Sequence, residues 1–284
     1  MNYKFENGLM YRMPTHFGPA CGPRQGPQGR NQFLGLEAMS EVREVSVSYK
    51  TNKVQLEKLI PEGVGLKLAG EPVVTVTASY MKGLLWLAGR GYNTLGVSFP
   101  VVFKGEKDQA EGSFLTVLWE NMADPILTGR EELGFAKLYA DIPDPSIYSG
   151  KVHVTAGWMG FKFIDLTVNN LKQLPIEETK SSSALKGSAL IHYKYIPKTG
   201  EWGTADTACV TVTPLKRSGV PSKVEVWQGE GRVDFHKATW DEMPTQYHVV
   251  NALQNLEIKE YLGSYMVWTQ GGKIEDLSNT HILE

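Results

Sequence analysis

The stretch Gly129-Arg130-Glu131-Glu132-Leu133-Gly134-Phe135-Ala136-Lys137-Leu138-Tyr139-Ala140-Asp141-Ile142 changes its periodicity midway. Just upstream, Asp124-Pro125 supplies a cap candidate and a proline at the first helical position, so a short helical turn runs toward Glu132. From Phe135 onward the residues alternate. Phe135, Lys137 and Tyr139 share one face of a strand, and Ala136, Leu138, Ala140 and Ile142 share the other. A single lysine in a strand ordinarily faces solvent. This one has an aromatic neighbour on each side along its own face. If that face lines an interior, desolvation disfavours the ammonium form. A free lysine with a pKa of about 10.4 is only about 0.04% neutral at pH 7, and bringing it to about 7 takes roughly 4.6 kcal/mol.

Working outward, strand signals dominate. Val42 to Tyr49, Val73 to Tyr80, Val97 to Phe103, Ser113 to Trp119, Val152 to Trp158, Ser188 to Ile196, Thr207 to Thr213 and Lys223 to Val226 are β-branched or aromatic runs bounded by turn residues. Helices are few: Lys53 to Ile60 behind Thr51-Asn52, the turn after Asp124-Pro125, and a segment opened by Thr239 or Thr245 and running to about Leu256. Gly89-Arg90-Gly91 and Gly229-Glu230-Gly231 start dinucleotide-like patterns that are not completed, and both read as turns. Many strands with three short helices predict a β-rich α+β fold, an antiparallel sheet curled into a barrel or cone. Residues 1–30 form a Gly/Pro-rich arm and 31–284 one domain. The arm is either a tail lying on the surface or a strap crossing to a pocket or a second subunit.

Composition excludes several functions. With 29 Lys and Arg against 31 Asp and Glu, the net charge of -2 lacks the basic excess of a nucleic-acid binder. No apolar run of membrane-spanning length is present, and residues 1–12 lack the apolar stretch of a signal peptide, so a soluble, cytoplasmic protein without membrane partners is expected. Cys21 and Cys209 are far apart and form no disulfide or zinc framework, and the six histidines show no metal-ligand spacing. No P-loop or nucleophile elbow occurs.

Gly-Arg-Glu followed by aromatic-x-Lys resembles the active-site stretch of the acetoacetate decarboxylase family. Three further stretches resemble it in the same order: Tyr49-Lys50-Thr51 with Leu59-Ile60-Pro61-Glu62, Gly150-Lys151-Val152 with Met159-Gly160-Phe161-Lys162, and Leu253 to Glu260. The resemblance runs from about Glu41 to the C-terminus. It implies a homo-oligomer that needs no cofactor, acts on a small keto acid and uses Lys137 as a Schiff-base nucleophile. Three positions depart from the family. Leu138 stands where a second lysine is expected, Ala136 where a proline is, and Asn93-Thr94 where a site glutamate is. An arginine of the first strand falls near Val42-Arg43, where one residue of register changes the face.

Glu120 and Arg43 are therefore candidates to assist Lys137, and Phe135, Tyr139, Tyr92, Trp119, Arg130 and Glu131 are candidates to line the pocket. Each has a plainer alternative, an ion pair for the charged residues and core packing for the aromatics. Three functions follow: a Schiff-base lyase that decarboxylates a β-keto acid, a Schiff-base aldolase-dehydratase acting on pyruvate-like keto acids and aldehydes, and a non-catalytic barrel that binds a small ligand.

Overall fold

The alternation expected at Val42 to Tyr49 is regular in space, with Val45, Val47 and Tyr49 buried on one face. A computed structural model of the chain describes residues 4–23, 25–29, 32, 40–182, 189–214, 222–271 and 279–284, so Ser188 and parts of the arm lie outside the described residues. In chain order the elements are β1 (Glu41–Lys50), α1 (Lys53–Glu57), β2 (Leu66–Leu68), β3 (Val73–Leu84), β4 (Arg90–Lys104), β5 (Gln109–Glu120), α2 (Ala123–Thr128), β6 (Lys137–Tyr139), β7 (Ser146–Tyr148), β8 (Lys151–Trp158), β9 (Phe161–Gln173), α3 (Ile176–Ser181), β10 (Leu190–Pro197), β11 (Ala205–Thr213), β12 (Lys223–Phe235), α4 (Tyr247–Gln254), β13 (Glu260–Gln270) and β14 (His281–Leu283).

Among the described residues, all fourteen strands form one sheet in the order β14-β11-β10-β5-β4-β3-β1-β13-β12-β9-β8-β7, with β2 on β4 and β6 on β5. The ladder has two ends, so the expected barrel is an open, strongly curled sheet. The curl brings β8 back toward β6, where Asp141 and Gly157 exchange N–H···O bonds of 2.7 and 2.9 Å in an isolated bridge. The sheet is also not wholly antiparallel: β6 and β10 both run parallel to β5.

One face of this sheet carries the main core. Val47, Val76, Leu95, Trp119, Leu166 and Val250 are all at 0% exposure, and each such side chain contributes about 1.5–3 kcal/mol on burial. Trp119 of β5 packs on Phe163 of β9 with ring centroids 4.9 Å apart, which ties the two sides of the curl together. A second, smaller apolar cluster is formed by Leu115, Leu133 and Phe135 with Leu118 and Leu190.

Several local expectations change. Gly229 and Gly231 lie inside β12, because a Cβ would stand 2.4 Å from the Asn169 carbonyl oxygen at the first and 2.1 Å from Ser264 Oγ at the second. β12 is consequently far longer than Lys223 to Val226, and β9 and β13 are strands that alternation did not single out. Asp124 and Pro125 both lie within α2, whose cap position is Met122, so Asp124 is not the cap. Asn52 does cap α1, accepting from the amides of Val54 and Gln55. Thr239 and Glu242 form their paired contact, yet α4 starts later, at Tyr247. No helix among the described residues is long and apolar enough to cross a membrane.

The described part of the arm lies against the chain itself. Arg12 forms an ion pair with Glu132 (3.0 Å) and donates hydrogen bonds to Thr128 Oγ1 and to the Cys21 carbonyl. Gln25 folds the arm on itself by accepting from the Met10 amide and donating to the Ala20 carbonyl.

Candidate active site

Between α2 and β6 the chain makes a wide helical turn over Gly129–Leu133, closed by Gly134 in the left-handed region at φ 87°. A Cβ at Gly134 would meet the Lys194 Cβ at 2.7 Å, so both conformation and space favour glycine there. Such wide turns recur at functional sites. β6 then pairs with the end of β5, placing Lys137 opposite Leu118 and Tyr139 opposite Glu120.

Lys137 is 7% exposed and Glu120 1%, and Lys137 Nζ stands 2.8 Å from Glu120 Oε1. The same ammonium donates to the Pro125 carbonyl of α2 at 2.9 Å and lies 5.2 Å from the centroid of the Phe135 ring. Gly129 makes room for it, since a Cβ there would stand 2.3 Å from Lys137 Cε. The environment is therefore not apolar burial alone but a buried ion pair held against an aromatic ring. Burial pushes the Glu120 carboxyl above the usual carboxylate range, against the pull of the Lys137 charge and its hydrogen bond. Glu120 Oε2 is buried and has no hydrogen-bond partner. A carboxyl raised in this way and touching an amine can take its proton and return it.

Register explains which expected residues meet here. Side chains directly opposite each other on paired strands share a face. Glu120 is opposite Thr94, which is opposite Ser79, which is opposite Glu44. Thr94 is the position where the family resemblance calls for a glutamate, so Glu120 delivers a carboxylate to the same patch from the next strand. Arg43 is not brought to this pair. It is opposite Tyr80, which is opposite Asn93, one residue out of phase and hence on the other face. There it pairs with Glu41 at 3.7 Å and its charge acts on Asp144, whose carboxyl is held low mainly by the Lys82 hydrogen bond.

Trp119 also faces away from the pair. It is fully buried in the main core and donates from Nε1 to Gln246 Oε1 at 2.7 Å. Tyr139 shares the face of Lys137 as expected but is 40% exposed, its hydroxyl donating to Asp141 at 2.8 Å. Tyr92 is half-buried against Trp86, with ring centroids 6.4 Å apart. Arg130 donates to the Lys137 carbonyl oxygen at 2.8 Å, holding the backbone of the strand while its side chain stays exposed. Glu131 is half-buried in the turn, with no described contact to Lys137. Leu138 packs on the main core, so its position offers no cation to Lys137.

Sequence reasoning missed His192. It is fully buried and stacks on Phe135 with centroids 3.8 Å apart, and neither ring nitrogen has a hydrogen-bond partner. Burial and, second, the charge of Lys137 push its pKa down to about 3. Alternation in Leu190-Ile191-His192 puts it on the face opposite Ile191, but only the folded chain shows Thr211 across from it on β11 and Phe135 stacked on its ring. Among the described residues, no three His, Cys, Asp or Glu side chains are placed to hold a metal ion.

The family model described as acetoacetate decarboxylase matches residues 12–274, so the match begins inside the N-terminal arm. A solved structure from structural studies of acetoacetate decarboxylase is 17% identical, covers 86% of this chain and 88% of that one, and superposes with a TM-score of 0.62. The acetoacetate decarboxylase of Legionella pneumophila subsp. pneumophila str. Philadelphia 1 is 19% identical over 86% of this chain and 87% of that one, with a TM-score of 0.61. The enduracididine biosynthesis enzyme MppR, complexed with the condensation product of pyruvate and imidazole 4-carboxaldehyde, is 16% identical over 86% and 87%, with a TM-score of 0.58. At these identities the likeness establishes the fold. No curated protein matches the chain.

Proposed function

Because this chain belongs to the acetoacetate decarboxylase family, we propose that it is a lyase in which Lys137 forms a Schiff base with a small β-keto acid and releases CO2. The observation that carries this reading is the buried Lys137–Glu120 pair at 2.8 Å, with the second carboxylate oxygen left unpartnered. Glu120 accepts a proton from the ammonium, and the freed amine attacks the ketone carbon. The proton returns to the carbinolamine oxygen, which leaves as water and yields a protonated imine. The bond to the carboxylate then breaks, CO2 departs, and the electron pair moves through carbon to nitrogen as an enamine. Protonation of the enamine carbon and hydrolysis give the ketone and restore Lys137. Family membership also supports a cytoplasmic homo-oligomer that needs no cofactor, and sedimentation velocity checks the assembly.

A second reading keeps the imine and ends in aldol condensation and dehydration of a pyruvate-like acid with an aldehyde. It is favoured by the likeness to MppR and by Leu138 in place of a second lysine.

Borohydride reduction tests both. Acetoacetate or pyruvate is added separately, adducts are located by peptide mapping, and CO2 is followed. An adduct on Lys137 with CO2 from acetoacetate supports the lyase. An adduct from pyruvate with turnover only when an aldehyde is present supports the second reading. Lys137→Ala abolishes trapping while the circular dichroism is kept. No adduct with any keto compound, or one on another residue, rejects both and leaves a non-catalytic ligand-binding protein.

A further inference from the structure

His192 lies in β10 on the same side of the sheet as the small apolar cluster, and its ring is stacked on Phe135 at 3.8 Å with an interplanar angle of 27°. The Lys137 ammonium lies 5.2 Å from the centroid of the same Phe135 ring. A neutral imidazole has one N–H donor and one acceptor nitrogen. Both are fully buried here and both lack a partner, whereas buried polar groups are as a rule hydrogen-bonded. The nearby cluster of Leu115, Leu133 and Phe135 is apolar, and Thr211, directly opposite His192 on β11, spends its hydroxyl on the Leu133 carbonyl at 2.8 Å. An unpaired donor next to a candidate nucleophile is what a site keeps for its ligand.

We infer that His192 receives the substrate's carboxylate, donating a ring N–H to one carboxylate oxygen of a keto acid held as an imine on Lys137. This rests on the Schiff-base reading above. The chemistry selects the carboxylate for two reasons. The ketone oxygen is lost as water when the imine forms, so the carboxylate is the polar group that a simple keto acid retains. Glu120, which touches Lys137 and also has an unpartnered atom, is itself a carboxyl and makes a poor partner for an anion.

Burial and the Lys137 charge keep His192 unprotonated through the neutral range. A neutral donor orients the carboxylate without neutralising it. That distinction matters because the negative charge leaves the carboxylate as CO2 departs, so a cation there would hold the ground state more tightly than the transition state. His192 is thus a specificity-determining residue, and the site is matched to small monocarboxylate keto acids with an apolar remainder.

The experiment uses the full chain and three probes: acetoacetate, pyruvate and acetylacetone, the last a neutral diketone that also condenses with amines. Trapping at Lys137 is measured for the wild type, His192→Leu and His192→Gln. In His192→Leu the concentration for half-maximal trapping rises about tenfold for both keto acids, the loss expected for one hydrogen bond to a charged group. It stays within about twofold for acetylacetone. His192→Gln keeps an N–H and stays near the wild type. An equal shift for all three probes, or none for any, overturns the inference and leaves the imine intact. A wild type that traps none of the probes ends the Schiff-base reading and this inference with it. If His192→Leu does not fold, nitrogen-15 histidine spectra of the wild type decide. The keto-acid adducts then move the His192 N–H resonance and the acetylacetone adduct does not, while equal movement overturns the assignment.

Discussion

Trp119 and Glu120 are consecutive in β5, are both within 1% of full burial, and face opposite ways. On the Trp119 side the polar handle is satisfied: Nε1 donates to Gln246, whose own amide donates to the Tyr139 carbonyl at 3.0 Å. On the Glu120 side one carboxylate oxygen holds Lys137 and the other has no partner, and the ring nitrogens of His192, stacked on Phe135, have none at all. An unmet buried polar atom costs about 1–3 kcal/mol. At these two residues the strand spends Trp119's polar atom on structure and keeps one of Glu120's open beside an amine. The contrast locates the site more sharply than the presence of the lysine does.

Four substitutions test that contrast, in descending order of expected effect. Glu120→Gln keeps the shape and removes the proton acceptor, so the rate of imine formation at Lys137 falls about 10²–10⁴-fold. An unchanged single-turnover rate would place the proton acceptor elsewhere. Gly129→Ala sits at ordinary helical φ −65° and ψ −42°, so the backbone tolerates it. Its Cβ collides with Lys137 Cε, and displacing the amine by about 1 Å costs on the order of 10²-fold in activity. Thermal melting should move little, and a large drop in Tm with normal specific activity would contradict this account.

Gln246→Leu acts on the other face. It strands Trp119 Nε1 and lowers stability by about 1–3 kcal/mol in urea titrations, while trapping per folded molecule changes less than about threefold. The smallest effect is at Asp165 of β9. Burial pushes its carboxyl up, but hydrogen bonds from Lys162, His153 and His236 outweigh this and hold it at about 2. A carboxyl lower in the folded than in the unfolded state stabilises above the unfolded value near 4 and loses that contribution as pH falls toward 2. Asp165→Asn therefore lowers Tm by about 1–3 °C at pH 7 and has almost no effect near pH 2. An equal shift at both pH values would remove the charge from the explanation.

Much of the sheet was legible because a half-buried strand alternates. β1, β3, β5 and β11 follow the expected runs closely, and the placement of Phe135 beside Lys137 follows from the same period. Gly229 and Gly231 misled because glycine marks both a turn and a close approach of backbones, and only the neighbouring Asn169 and Ser264 distinguish them. Arg43 missed the site by one residue of register. Tyr139 kept its face but lies where β6 ends, so its ring reaches water and Asp141.

Residue order alone specifies a strand-rich chain, the face taken by residues in its regularly alternating strands, and Lys137 as the amine worth watching, since backbone sterics and period-two patterning are local. Tertiary structure alone decided that Glu120 stands where Thr94 leaves a gap, that the turn at Gly129–Leu133 folds over the lysine, and that His192 stacks on Phe135. Those choices depend on which distant strands pair with β5 and how far the sheet curls. A local period says which side a residue faces and nothing about what it meets there.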